Sequence, residues 1–307
     1  MTVLEWLLSG DPAVKRLTMK YLLGQDDTYT DAGWIEAYIT RFDPAEKRWG
    51  QGIYGPKWIS TFYTMRDLCH LEIDPNHPIY QQGLDTLLQH MWNPAIKVET
   101  DICVVAMLAC LVMHGRRQGR QLDEMMHYLL RNQQPDGGWN CSSLSGGTSK
   151  SSIHTTLSVL EAFAAYQSFG RETHLSGTRE QTKGGQEYLL RKHLFRRETD
   201  QSMIVPYITQ FHFPPRWKYD LLRALHYFAS IQHPLAPRME EGLSILRDKI
   251  RRGYLNKGTS HSGRLHFRLE EGRFGRMNTL RGLIVLKHYD FAYFRQLLAL
   301  PMSGEAR

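Results

Sequence analysis

Two side chains with an affinity for soft metals stand thirteen positions apart in the stretch from Gln133 to Phe163, QQPDGGWNCSSLSGGTSKSSIHTTLSVLEAF. Cys141 sits in a Gly/Ser/Thr loop, and His154 falls in the first turn of the apolar helix that the loop leads into. Thiolate and imidazole are zinc ligands, and a loop and a helix start can meet at one end of a helix bundle. The competing role for such a histidine is a hydrogen bond to a backbone carbonyl, and for a cysteine that of a small buried hydrophobe.

A second set of chemically capable residues recurs at helix starts. Tyr54, Lys57 and Trp58 head one apolar segment; Trp217, Lys218, Tyr219 and Asp220 head another; Asn278, Thr279 and Arg281 head a third. Aromatic faces stabilise cations and bases clamp phosphate, so such a rim suits an apolar chain with a diphosphate head. Alternatively, the tryptophans pack between hairpins and Asp220 pairs with Lys57 or Arg281. His261, Arg264, His266 and Arg268 lie in a glycine-rich connection from Gly253 to Gly275, either an anion-binding loop or a solvated one.

The elements that must position these groups read as helices. Trp6-Leu7-Leu8 ends at Gly10, and a second helix starts at Asp11-Pro12 and runs to Gly24; Asp31 to Phe42 forms a third. Thereafter a loop precedes a strongly apolar helix and an amphipathic partner follows it. The apolar members are Lys57 to Leu71, Asp101 to His114, Ser151 to Ser168, Trp217 to Ile231 and Asn278 to His288. Their partners are Ile79 to Met91, Leu122 to Arg131, Gln181 to His193, Met239 to Ile250 and Phe291 to Leu300. Helices apolar all round belong inside and half-polar ones outside. A recurring hairpin implies a solenoid or a closed ring. No strand with period-two alternation stands out, and Met203 to Phe213, broken by Pro206 and followed by Pro214-Pro215, reads as an extended loop.

At 307 residues and 42% hydrophobic content the chain can fill a substantial core. It carries no secretory leader pattern and no apolar run long enough for a bilayer, and its four cysteines suit free thiols or metal ligands, so a cytoplasmic location is expected. The net charge of +7 is spread out. Its densest clusters, 191–197 and RDKIRR at 247–252, fall on helices with an apolar opposite face, which argues for solvated faces over a nucleic-acid patch. A DPAVKR stretch, resembling part of a HEAT-type repeat, keeps open a concave surface that binds a polymer.

Gln133-x-x-Asp136-Gly137-Gly138-Trp139 resembles the glutamine-tryptophan repeat of squalene and oxidosqualene cyclases, echoed in protein prenyltransferase β subunits. Trp49-Gly50 and Arg252-Gly253-Tyr254 look like degraded copies. The resemblance implies one all-α domain over 1–307, an α/α toroid of about six helical hairpins around an apolar cavity. Residues 1–44 would supply N-terminal helices and 45–300 the repeated hairpins. The proton-donating Asp-x-Asp-Asp of the cyclases would fall at Val98-Glu99-Thr100-Asp101, where only the last aspartate stands. The prenyltransferase pattern of Asp-x-Cys at one inner helix and histidine at a later one is matched by Asp101-Ile102-Cys103 and His154. With Cys141 close by, this implies zinc at Asp101, Cys103, Cys141 and His154. Four ligands would make the site structural, and three would leave a position for an activated thiol or water.

The expected function is therefore a transferase or cyclase acting on an isoprenoid-like substrate. The substrate would be held at Tyr54, Lys57, Trp58, Trp139, Trp217, Tyr219, Asp220 and Arg281; the resemblance leaves open whether a second protein subunit is required as in the prenyltransferases. Trp139 itself reads as a packing plate. The alternative is a non-catalytic helical-repeat protein that binds a lipid, protein or nucleic acid.

Overall fold

The computed structural model describes residues 1–93, 101–141, 150–259 and 261–302. These are mostly α-helical. The described residues separate into two compact units. The first gathers Met1–Tyr38, Lys192–Ser262 and His266–Arg307, and the second Ile39–Arg191 with Gly263–Leu265.

The second unit holds three hairpins. Helix α4 (Thr61–His70) packs on α5 (Pro78–Met91), α6 (Ile102–His114) on α7 (Arg120–Arg131), and α8 (Ile153–Ser168) on α9 (Leu175–Arg191), while α6 also lies against α4 and α8. Burial follows the pattern of the residues. Nearly all of α6 is buried, including Ile102, Val105, Met107, Leu108 and Leu111, whereas α7 buries only Leu122, Met125, Met126 and Leu129. Spacing of three and four residues puts those four on one stripe, so α7 covers the unit and α6 lies within it.

The first unit is built the same way. Its helices are α1 (Val3–Leu8), α2 (Pro12–Thr18), α3 (Trp34–Ile39, whose last residue falls in the other unit), α10 (Leu221–Ser230), α11 (Glu240–Ile250), α12 (Arg276–Tyr289) and α13 (Phe291–Ala299). Thr2 and Glu5 form a reciprocal capping box on α1, and Asp11 caps α2 through the Ala13 amide. Helix α2 runs on through a π-helical turn, Met19–Leu23, to a left-handed Gly24. Helix α12 packs on α10, α11 and α13. The amide of Val3 donates to the Leu300 carbonyl at 3.1 Å, which ties α1 to the chain end after α13.

One expectation needs correction. Lys57 and Trp58 precede α4 instead of opening it: Trp58 N donates to the Arg264 carbonyl at 2.9 Å and Arg264 N to the Lys57 carbonyl at 2.8 Å. That pairing takes up the backbone groups that a helix would have used. Among the described residues there are two short antiparallel pairs, β1 (Phe42–Asp43) with β2 (Arg48–Trp49), and β3 (Leu255–Asn256) with β4 (Phe274–Gly275). The extended stretch before Phe213 contains a 3₁₀ turn at Pro206–Thr209.

The Gln133 to Trp139 motif is a fastening. Trp139 is fully buried; its indole N–H donates to the Leu129 carbonyl at 2.8 Å, and its amide donates to Thr156 Oγ1 at 3.0 Å. Asp136 accepts from the Ser151 amide at 2.9 Å and from the Ser151 hydroxyl, while Gln133 Nε2 donates to the carbonyls of Gly137 and Gln181. Gly137 holds φ +94°, and a side chain there would strike the Gly184 backbone. The loop before α4 repeats the arrangement: Trp49 is buried, and its amide donates to Thr61 Oγ1 at 3.1 Å. Even the packing partner repeats, since Gly83 on α5 admits Trp49 as Gly185 on α9 admits Trp139. The internal repeat is thus borne by Trp, Thr and Gly.

Thr61→Val and Thr156→Val should each cost about 1–3 kcal/mol, because each leaves a buried amide unanswered. Trp139→Ala should cost about 3–5 kcal/mol. Urea unfolding of the variants checks both, and a cost below that of ordinary surface changes would refute the fastening role.

Candidate functional site

Of the four side chains expected to bind metal, the structure brings together two, Cys103 and Cys141. Cys103 occupies the second position of α6, where the first amides of a helix lack intrahelical partners. The usual capping group is idle: Asp101 stands at the N-cap, exposed, and its side chain makes no cap bond. Cys141 fills that role, its Sγ accepting from the Cys103 amide at 3.4 Å. It also lies 3.5 Å from Thr155 Oγ1 in the first turn of α8. The Cys141 thiol is pulled down to about 6, chiefly by a hydrogen bond from the Cys103 thiol. Burial opposes the shift, Thr155 and the Cys103 amide assist it, and the charge of Asp101 resists it. A thiolate is therefore present at neutral pH, the form that acts as nucleophile or metal ligand.

His154, at the second position of α8, is half-buried, and its carbonyl accepts from Ser158 at 3.1 Å. Among the described residues no group of three or more His, Cys, Asp or Glu side chains is placed to hold a metal ion. The donor set that the structure gathers is thus a thiol pair with a carboxylate in electrostatic range. Residues 98–100 of the Asp-x-Asp-Asp comparison lie outside the described residues.

Of the expected rim residues in this unit, Tyr54 joins the thiol pair. The thiols and Asp101 lie close enough to raise its phenol, after burial, which is the larger cause. Its hydroxyl accepts from Tyr63 at 3.0 Å, and Trp58 stands edge-on to Tyr63 with ring centroids 4.6 Å apart. Lys57 is exposed, its Nζ 5.7 Å above the Trp58 ring. Trp139 is a structural member of the fold and lines no rim.

The rim residues of the first unit form their own cluster. Asp220 caps α10 through the Arg223 amide at 2.8 Å and accepts the His212 amide at 3.4 Å. Burial raises its carboxyl, against the pull of Arg281. Arg281 donates to the His212 carbonyl at 3.3 Å, and Tyr219 donates to the Leu194 carbonyl at 2.5 Å. Trp217 carries Lys218 Nζ 5.8 Å above its ring. His212 and His261 stack at 4.6 Å, and burial with His212, Lys218 and Arg216 nearby drives His261 to about 3, so the pair is neutral. These residues brace the start of α10.

A third group escaped the sequence reading. Cys69 and His114 lie in the last turns of α4 and α6 and are hydrogen-bonded to each other. Burial works against both charges, but their mutual attraction wins, lowering the Cys69 thiol and raising His114 to about 9. His114 Nε2 is held by the Ile73 carbonyl at 2.9 Å, and Arg66 adds positive charge. The available signal was a cysteine and a histidine each ending an apolar helix, where the helix dipole favours a cation.

Set against known proteins, the chain matches no family model and no curated protein sequence. Among the described residues no helix is long and apolar enough to cross a membrane.

Peptide-resolved iodoacetamide labelling across pH should show Cys141 reacting with a midpoint near pH 6. Cys103→Ser should move that midpoint upward. A midpoint at the ordinary thiol value of about 8.5 would contradict the assigned thiolate.

Proposed function

We propose that the chain is an enzyme of the terpenoid cyclase and prenyltransferase-like group, acting on an isoprenoid or similarly apolar substrate with the Cys141 thiolate at its reactive centre. The observation that carries the reading is the placement of that sulfur at the first turns of α6 and α8, beside Cys103, with Tyr54 and Tyr63 close by. A nucleophile or ligand held among aromatic rings is suited to developing positive charge on a hydrocarbon. Support for the toroid is the alternation of buried and one-faced helices in each unit, with the tryptophan loop repeated before α4 and α8.

Zinc enters this reading with Cys103 and Cys141 as ligands. Asp101 and His154 are the further donors, and the ion would have to draw both toward the sulfurs. Bound there, zinc would hold both thiols deprotonated and activate a substrate thiol or water. The chain's own contribution is to fix the two sulfurs on separate helix starts and to keep the phenols of Tyr54 and Tyr63 protonated, as burial ensures.

Purified without chelators, the protein should carry about one equivalent of zinc, lost in Cys103→Ser and Cys141→Ser. Incubation with farnesyl diphosphate should protect Cys141 from alkylation. A metal-free protein with both thiols freely labelled would remove zinc, and unchanged labelling under farnesyl diphosphate would remove the isoprenoid substrate.

A further inference from the structure

Beside the β3–β4 pair of the first unit lies a cavity of about 780 Å³, within the size range of small-molecule sites. Its walls come from the turn 209–211, from the end of α11 with the chain leading through β3 to Thr259, and from Arg273 and Phe274. The lining is strongly basic: Lys249, Arg251, Arg252, Lys257 and Arg273 face one acid, Asp248.

Charge pairing separates these cations from others nearby. Arg247 is bound by Glu240 and Asp290, and Arg196 by Glu241. Among the described residues, Lys249, Arg251, Arg252 and Arg273 have no such acidic partner, and all four are exposed. Like charges gathered around one hollow repel each other and favour an anion in it.

Three rings share the lining. Tyr254 and Phe274 stand with centroids 4.0 Å apart, Lys249 Nζ is 5.7 Å from the Phe211 centroid, and Arg273 is 5.6 Å from that of Phe274. The walls are fixed in advance. Asn278, fully buried, donates from Nδ2 to the carbonyls of Phe211 and Asn256, each at 3.0 Å. Gly258, at φ +77°, lets the chain cross directly over the Phe211 carbonyl. Apart from the rings, Leu255 is the one large aliphatic side chain in the lining, so a long hydrocarbon tail finds little wall, whereas a flat body finds the half-buried ring of Phe274.

We propose that this cavity binds a nucleoside polyphosphate, its phosphates taken by Arg251, Arg252, Arg273 and Lys249 and its base by the half-buried ring of Phe274, which the buried Tyr254 backs. Guanidinium forks match phosphate oxygens, and aromatic stacking on a base contributes without regard to its identity. The inference is independent of the thiol pair, which belongs to the other unit.

Calorimetric titration of the full chain with ATP, inorganic triphosphate, adenosine and geranyl diphosphate tests it. ATP should bind at one site with micromolar affinity, and at least about tenfold more tightly than each of the other three. Arg252→Glu combined with Arg273→Glu should weaken ATP by more than about tenfold, since each loses a charge-assisted contact. Both arginines are exposed, so the fold should survive, as a melting curve will verify. Phe274→Leu should weaken ATP and leave triphosphate unchanged. Absence of ATP binding, equal affinity for triphosphate or geranyl diphosphate, or insensitivity to the arginine reversals would each overturn the proposal.

Discussion

A loop that buries a large indole must bury its own backbone with it, and a buried amide without a partner costs more than most single contacts return. In this protein a threonine at the start of the following helix answers that amide. Thr156 does so for Trp139 and Thr61 for Trp49, and in the first unit Thr279 answers the amide of the buried Leu255 in the same way at 2.9 Å. Because the hydroxyl sits on the helix while the amide sits in the loop, one bond fixes both. Residues just beyond the indole are thereby presented to the neighbouring helix start, and Cys141 comes two positions after Trp139.

That placement explains the chemistry of the thiol. A sulfur simply buried would hold its proton more tightly, and burial does push Cys141 in that direction. It is outweighed because the sulfur meets the donor end of α6 and a second thiol together, while Asp101 turns outward instead of capping. The other ends of α4 and α6 carry a second pair, where the raised His114 suits a helix C-terminus and its contact with Cys69 lowers that thiol. The same apolar helix α6 thus has a sulfur-bearing polar group at each end, with buried residues between them.

The helical hairpins were legible because their cause is periodic. The all-round apolar run of α6 and the three-four spacing of α7 are local facts, and the helix ends agree to within a few residues. What the sequence hid is non-local. Nothing near Trp58 announces that Arg264, more than two hundred residues away, will hold its backbone out of a helix. Helix α9 starts at Leu175, earlier than its apolar stripe, since its first turns are polar and carry little periodic signal. At the site, Cys103 and Cys141 were identifiable by type, but their meeting depends on a turn set by Asp136 and Ser151. Cys69 and His114 were masked by the helical runs near whose ends they stand.

The basic charge shows the same division between local and non-local information. As a string, RDKIRR reads as one solvated helix face, yet the structure sorts its members by what lies opposite them. Arg247 meets Glu240 and Asp290, and Ile250 is buried. Helix α11 ends at Ile250, so Arg251 and Arg252 lie past its last turn and, with Lys249, line a cavity walled by β3 and β4. Helical periodicity assigns faces only inside a helix, which is why the residues just past its end could not be placed by counting. Their neighbours there, Phe211 and Phe274, are brought in by Asn278 and by the β3–β4 pairing. A charge cluster that looks like solubility in one dimension becomes a site when rings from elsewhere in the chain close around it.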